Sequence, residues 1–209
     1  MPTNVRVRFA PSPTGWLHIG SLRAVLFDYL IAKSLNGKLI LRIEDTDQKR
    51  EVAGAVESLI SILAWAGIKF DEGPQAGGEF GPYIQSQRIE IYKKYAEIIL
   101  KKGAAYPCFC TLERLNQMRE KQQTKKKPPR YDRLCRGLSQ TEVKEKIKNG
   151  QPFVVRQKMP ADGEIEVDDE LRGRIKFMAA GLEDQILIKS DGAPTYQFAA
   201  VVDDHLMEI

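Results

Sequence analysis

The sequence has few cysteines, no long uninterrupted apolar run, no internal repeat and no low-complexity tract. Cys108, Cys110 and Cys135 are too few, and odd in number, for a disulfide framework; a C-x-C pair is more often a thiolate site in a reducing compartment. The opening stretch MPTNVRVRF lacks the apolar core of a signal peptide, and Asp28 breaks the longest apolar stretch near the N-terminus. Neither secretion nor membrane spanning is indicated, and a cytoplasmic setting is expected. Net charge is mild, at +4, so its distribution says more than its size. Between Arg114 and Arg136 nine Lys or Arg face only Glu120 and Asp132. With 43% hydrophobic and 29% charged residues, a chain of 209 residues can bury a core as one large domain or as one domain with an insertion.

The pattern of elements is α/β. Val5, Val7 and Phe9 alternate with Arg6 and Arg8, which predicts a short strand. Leu22, Val25, Leu26, Tyr29 and Leu30 then recur at helical spacing from Ser21 to a stop at Asn36-Gly37, and Leu39 to Ile43 reads as a second strand ending in acids. This is a βαβ unit. Between strand and helix, Pro11 and Pro13 fix φ and hold Ala10 and Ser12 extended, so the loop is stiff. In such a sheet ligands bind beyond the carboxyl ends of the strands, where a helix N-terminus offers N–H groups to phosphate. His18, Gly20 and Ser21 occupy that place. Further helices are expected near Val52 to Ala66 and from about Ser86 to Gly103. After Ala105 the chain reads as short helices and antiparallel strands, in PFVVRQK, EIEVDDELRGRIKF and QILIKS, an α+β insertion. The final segment returns to a turn, an apolar run and acids, with an open edge expected after Val201.

RFAPSPTGWLHIGSLRAVLFDYL followed by LILRIEDTD resembles the signature of class I aminoacyl-tRNA synthetases of the glutamyl type, in bacterial or organellar form. HIGS at 18–21 looks like their His-Ile-Gly-His motif with Ser21 in the last place, and GPYIQSQR, YPCFC, RYDRLCR and PTYQFAAVVDDHLMEI follow in the family's order. The resemblance implies an incomplete Rossmann-like nucleotide-binding fold: residues 1–85 its first half, 86–190 a connective insertion binding the tRNA acceptor end, and 191–209 the start of the second half. It implies a two-step reaction, in which the α-carboxylate of L-glutamate attacks Mg·ATP and the resulting glutamyl adenylate acylates tRNA(Glu). Arg8 would pair with the substrate's side-chain carboxylate and Glu44 with its ammonium. Ala10, Ser12 and Tyr196 would line the amino-acid pocket, while Ser12, His18, Gly20 and Ser21 meet ATP.

The cysteines supply three zinc ligands where structural zinc takes four. In zinc-bearing members of the family a fourth Cys or His follows the third cysteine at i+2; here that residue is Gly137. Tyr131, in Y-x-x-x-C with Cys135, resembles the ligand pattern of the shorter glutamyl-queuosine tRNA synthetases, and a metal-free insertion with three reduced thiols stands beside that reading. His18 and His205 lie in other motifs. Within an acceptor-binding insertion, Lys125, Lys126, Lys127 and Arg130 would contact RNA phosphate. The 209 residues hold no Lys-Met-Ser-Lys type loop and no anticodon-binding region. The expectation is therefore part of a longer, monomeric enzyme that forms no glutamyl-tRNA by itself. A glutamyl-queuosine tRNA(Asp) synthetase and a non-catalytic nucleotide- or RNA-binding module are the alternatives.

Overall fold

A computed structural model describes residues 5–47 and 50–209. Strand β1 (Arg6–Phe9) leads through the proline loop into helix α1 (Ile19–Ser34), which begins two residues before Ser21 because His18 supplies its cap. After α1, Asn36 turns left-handed, with φ of 50°, and the Gly37 amide returns to the Ala32 carbonyl at 2.8 Å. A Cβ on Gly37 would collide with the Val5 carbonyl, so this glycine is required by the close approach of two backbones. Strand β2 (Lys38–Leu41) pairs in parallel with β1, Arg6 opposite Lys38 and Phe9 opposite Leu41.

β2 is apolar on both faces, as a parallel strand covered on both sides must be. Leu39 and Leu41, continued by Ile43, pack with Phe9, Val25 and Ala32 and with Leu59 and Leu63 of α2 (Ala55–Trp65). Ile40 points the other way, onto Tyr83 and Met207. Single parallel bridges set Glu72 beside Ile40 and Ile84 beside Ile43. The result is a Rossmann-like α/β arrangement. Helix α2 starts three residues later than the apolar pattern suggests, since Gly54 at its cap takes φ of 78° and the Val52 amide bonds the Pro13 carbonyl. The last apolar run folds as helix α6 (Tyr196–Leu206), burying Phe198, Ala199 and Val202, and among the described residues β1 pairs with β2 alone.

The structure divides into two compact units, one reaching to Tyr92 and resumed by Tyr196–Ile209, the other Lys93–Thr195. Helix α3 (Ile89–Lys101) runs across the division. In the second unit β3 (Ala105–Cys108), β4 (Val154–Gln157) and β7 (Ile186–Ile188) form an antiparallel sheet in the order β3-β4-β7, and β5 (Glu164–Asp169) with β6 (Gly173–Met178) forms a separate hairpin. Helices α4 (Leu112–Thr124) and α5 (Gln140–Lys148) lie between β3 and β4 in the chain, α5 opened by a Ser139–Glu142 capping box. Asp184, fully buried, ties this unit together: it accepts from the Tyr106 hydroxyl at 2.7 Å and the Met159 amide at 3.1 Å, and pairs with Arg133 at 3.3 Å.

Candidate functional site

The proline loop is stiff at both ends for a visible reason. Prolines lack N–H, but their carbonyls are held: Glu44 N–H donates to Pro11 at 2.9 Å and Val52 N–H to Pro13 at 2.9 Å, while Arg42 N–H donates to Phe9 at 3.0 Å. The chain leaving β2 thus clamps the loop leaving β1. His18 ends that loop in an extended conformation, and its Nδ1 accepts from the Gly20 amide at 3.1 Å. In the neutral ring the proton then sits on Nε2, which leaves Nε2–H as the outward donor at the start of α1. Gly20 and Ser21 occupy the first turn; a Cβ at 20 would press on the His18 ring at 3.2 Å. Ser12 stands exposed in the loop and Ala10 half-buried.

Arg8 and Glu44 are joined by two residues that the motif did not single out. Arg42, completely buried, donates from Nη2 to Glu44 Oε1 at 2.8 Å and from Nη1 to Asp204 Oδ1 at 2.6 Å. Asp204 in turn holds Arg8 in a two-point fork, Nε to Oδ1 at 2.9 Å and Nη2 to Oδ2 at 3.0 Å. The order is Glu44, Arg42, Asp204, Arg8, with charges alternating in sign. Glu44 is 2% exposed, and its Oε2 has no hydrogen-bond partner among the described residues. Burial raises its carboxyl pKa, against the lowering pull of Arg42. An orphaned, buried carboxylate oxygen is an acceptor with its donor missing. Burial also opposes the charge on Asp204, but the Arg8 and Arg42 hydrogen bonds outweigh it and hold this carboxyl below the ordinary range. Tyr196, exposed at the start of α6, and Asp28 of α1 both lie within electrostatic reach of Arg8, as does Glu44.

Asp203, one residue before Asp204, does a different job. It is fully buried and accepts from Gln85 Nε2 at 2.9 Å, Arg88 Nε at 2.7 Å and the Tyr92 hydroxyl at 2.8 Å. Asp45, near the expected site, accepts from the Ser86 amide at 2.8 Å and so anchors the backbone.

The second unit gathers Cys108, Cys110 and Cys135, whose sulfurs all lie within 4.8 Å of one another. The Tyr131 oxygen sits among them, donating to Cys108 Sγ at 3.2 Å, 3.5 Å from Cys110 Sγ, and accepting from the Cys135 amide at 3.1 Å. Zinc–sulfur bonds of about 2.3 Å in a tetrahedron put sulfurs about 3.8 Å apart; the Cys110 and Cys135 sulfurs are 3.5 Å apart, and the three thiols with the phenolic oxygen are grouped closely enough that they could hold a metal ion. Burial pushes the Cys108 thiol up, yet hydrogen bonds from Tyr131, the Cys110 backbone and Arg156 bring it below its ordinary pKa, while burial drives Cys110 up to about 11. Arg156 also covers the Tyr131 ring, 4.0 Å from its centroid. Gly137, two residues after Cys135, contributes no side chain.

The basic run is divided by its backbone. Lys125 caps α4 and Lys126 takes φ of 52°. Lys125 and Lys127, with Lys121 and Arg114, line a groove of about 420 Å³, whereas Lys126 does not. Arg130 lies outside the groove's lining too: Gln122 pins its backbone at both N–H and C=O, and its Nη1 donates to the Ala180 carbonyl at 2.7 Å. Arg114 joins groove to thiols, pairing with Asp132 through Nη2 and reaching Cys110 Sγ from Nη1 at 3.4 Å.

Residues 4–209 match the family described as tRNA synthetases class I (E and Q), catalytic domain. Glutamate–tRNA ligase of Clostridium novyi is 57% identical over 205 residues, 98% of this chain and 41% of the relative. That of Finegoldia magna is 52% identical over 217 residues, 99% of this chain and 44% of the relative. Among solved structures, a glutamate tRNA ligase from Elizabethkingia meningosepticum in complex with its amino acid superposes with a TM-score of 0.92 at 45% identity, covering 98% of this chain and 42% of that one. The glutamate–tRNA synthetase of Elizabethkingia anophelis gives 0.93 at 45%, covering 99% and 43%. The chain spans less than half the length of each.

Proposed function

This chain belongs to the catalytic-domain family of class I tRNA synthetases for glutamate and glutamine, and we propose that it carries the L-glutamate pocket and one end of the ATP site of a glutamate–tRNA ligase acting in the cytoplasm. The observation that carries this reading is the charge chain: an orphaned carboxylate oxygen on Glu44 at one end and the Arg8 guanidinium at the other. Free glutamate presents the complementary pair, an ammonium at one end and a carboxylate at the other. Glu44 Oε2 takes the ammonium, and the Arg8 Nη1 amino group, the one not engaged by Asp204, takes the side-chain carboxylate. Ala10, Ser12 and Tyr196 line the space between.

The α-carboxylate is thereby left for reaction. It attacks the α-phosphorus of ATP, a new oxygen–phosphorus bond forms, and pyrophosphate leaves. The tRNA 2′-hydroxyl then takes the acyl group and releases AMP. His18 Nε2–H donates to a phosphate oxygen as charge builds, with Gly20, Ser21 and the free amides at the start of α1 beside it. Magnesium, when bound with ATP, neutralises phosphate charge. Catalysis on this reading is positioning and charge stabilisation, with no covalent enzyme intermediate. In the second unit, read as the acceptor-binding insertion, Cys108, Cys110, Tyr131 and Cys135 would hold a structural zinc, and the groove of Lys121, Lys125 and Lys127 would follow RNA phosphates. Among the described residues no helix is long and apolar enough to cross a membrane.

The test is a chimera in which this chain replaces the matched part of the Clostridium novyi relative. Glutamylation of tRNA(Glu), lost on Arg8→Lys, is the expected result. A folded chimera that charges no tRNA with glutamate overturns the reading.

A further inference from the structure

We propose that Asp204, backed by Arg42, is the positioning residue that aims Arg8 at the substrate carboxylate and fixes the span between Arg8 and Glu44. The inference rests on the glutamate pocket proposed above. An arginine on a short strand has four rotatable side-chain bonds, and a fork pointing at an open pocket would sample many directions. Here Arg8 is held at two points by a carboxylate whose Oδ1 also receives Arg42 Nη1 at 2.6 Å. Arg42 is fixed in turn, because it is fully buried and also contacts Glu44 through Nε at 3.3 Å and Nη2 at 2.8 Å. The distance between the two substrate-facing ends is therefore set by one buried guanidinium and one carboxylate. The four charges alternate and cancel within the chain, which leaves a negative end at Glu44 and a positive end at Arg8.

The neighbouring aspartate separates this role from simple stabilisation. Asp203 anchors α6 on Gln85, Arg88 and Tyr92, all buried. The Asp204 side chain is 33% exposed and its Arg8 partner 27%, so that pair adds little to stability, whereas the bond from Asp204 to the fully buried Arg42 does contribute. Asp204→Asn keeps a side-chain oxygen for Arg42 while removing the carboxylate fork that holds Arg8.

The experiment uses the 209-residue chain and L-glutamate. Asp204→Asn is expected to weaken glutamate binding by about tenfold, the scale of one charge-assisted hydrogen bond. Because Asp204 acts through Arg8, the double variant Asp204→Asn with Arg8→Lys should bind within about twofold of Arg8→Lys alone. Additive losses, or binding by Asp204→Asn equal to that of the unaltered chain, overturn the inference. Should Arg8→Lys bind too weakly to titrate, the ¹⁵N signal of Arg8 Nε–H decides: the fork predicts a sharp signal in the unaltered chain that shifts and broadens in both Asp204→Asn and Asp204→Ser, and an unchanged signal refutes it. If the unaltered chain binds no glutamate, the pocket itself falls and the inference with it; if it binds and the variants match it, only the inference falls.

Discussion

Glu72→Gln isolates the buried pair that holds the first unit together. Glu72 Oε1 accepts from Arg6 Nη1 at 2.8 Å and Lys38 Nζ at 3.0 Å, and Oε2 from Arg6 Nη2 at 2.9 Å and the Tyr83 hydroxyl at 2.6 Å. Arg6 has further partners, the Met207 carbonyl at 2.7 Å and the face of Phe80 at 4.5 Å, but Glu72 is its principal counter-charge. The Arg6 fork, outweighing burial, lowers the Glu72 pKa from an ordinary 4.5 to about 2. At 1.36 kcal/mol per pKa unit that difference contributes about 3 kcal/mol of stability at neutral pH. Removing one partner of a buried pair costs roughly the same, about 3–5 kcal/mol. The sign follows from the depressed pKa: the contribution is fully present above about pH 4.5 and is lost as pH falls toward 2. Urea unfolding, followed through the amide signals of β1 and β2, should therefore show Glu72→Gln about 3 kcal/mol less stable than the unaltered chain at pH 7, with the gap closing between pH 4.5 and 2. A gap under about 1 kcal/mol at pH 7, or one that does not change with pH, would refute the assignment of this pair.

Protein purified without chelators should carry close to one zinc per chain, and chelation should loosen the second unit around Tyr131 while sparing β1 and β2; zinc-free protein by elemental analysis decides for three reduced thiols. Replacing Lys121, Lys125 and Lys127 together by Ala should weaken binding of a tRNA acceptor minihelix and reduce its log–log salt slope by roughly one unit for each phosphate no longer neutralised, whereas Lys126→Ala alone leaves the slope in place. An unchanged slope in the triple variant makes the groove a solvated surface.

The parts of the fold that are legible in the sequence are those encoded locally. Alternation in Val5, Val7 and Phe9, helical spacing after Ser21 and the Asn36-Gly37 stop are short-range signals, and β1, α1 and β2 follow them. The strands β4 to β7 of the second unit are readable for the same reason, whereas β3 (Ala105–Cys108), in a segment that reads as short helix and loop, is not. What is not legible depends on residues distant in the chain. Asp203 and Asp204 read only as acids after an apolar run, because their partners Gln85, Arg88, Tyr92, Arg42 and Arg8 lie 111 to 196 positions away. Arg6 reads only as a charged position in an alternating strand, and its burial against Glu72, 66 positions away, is not visible in that pattern. The division of the lysine run is equally hidden, since it turns on the left-handed backbone of Lys126. Arg8, Glu44 and His18 stand out through their motifs; that Arg42 and Asp204 bind the first two into one unit is a tertiary fact.

The most direct measurement of the central claim is an amide and guanidinium NMR titration of this chain with L-glutamate, set beside L-glutamine. If glutamate lies between Glu44 and Arg8, saturable shifts should appear at Arg8 Nε–H and at the amides of Ala10 and Tyr196, signals near Cys108 and Cys135 should stay in place, and L-glutamine should bind more weakly for want of a carboxylate. Absence of saturable shifts at Arg8, or equal binding of L-glutamine, would contradict the account.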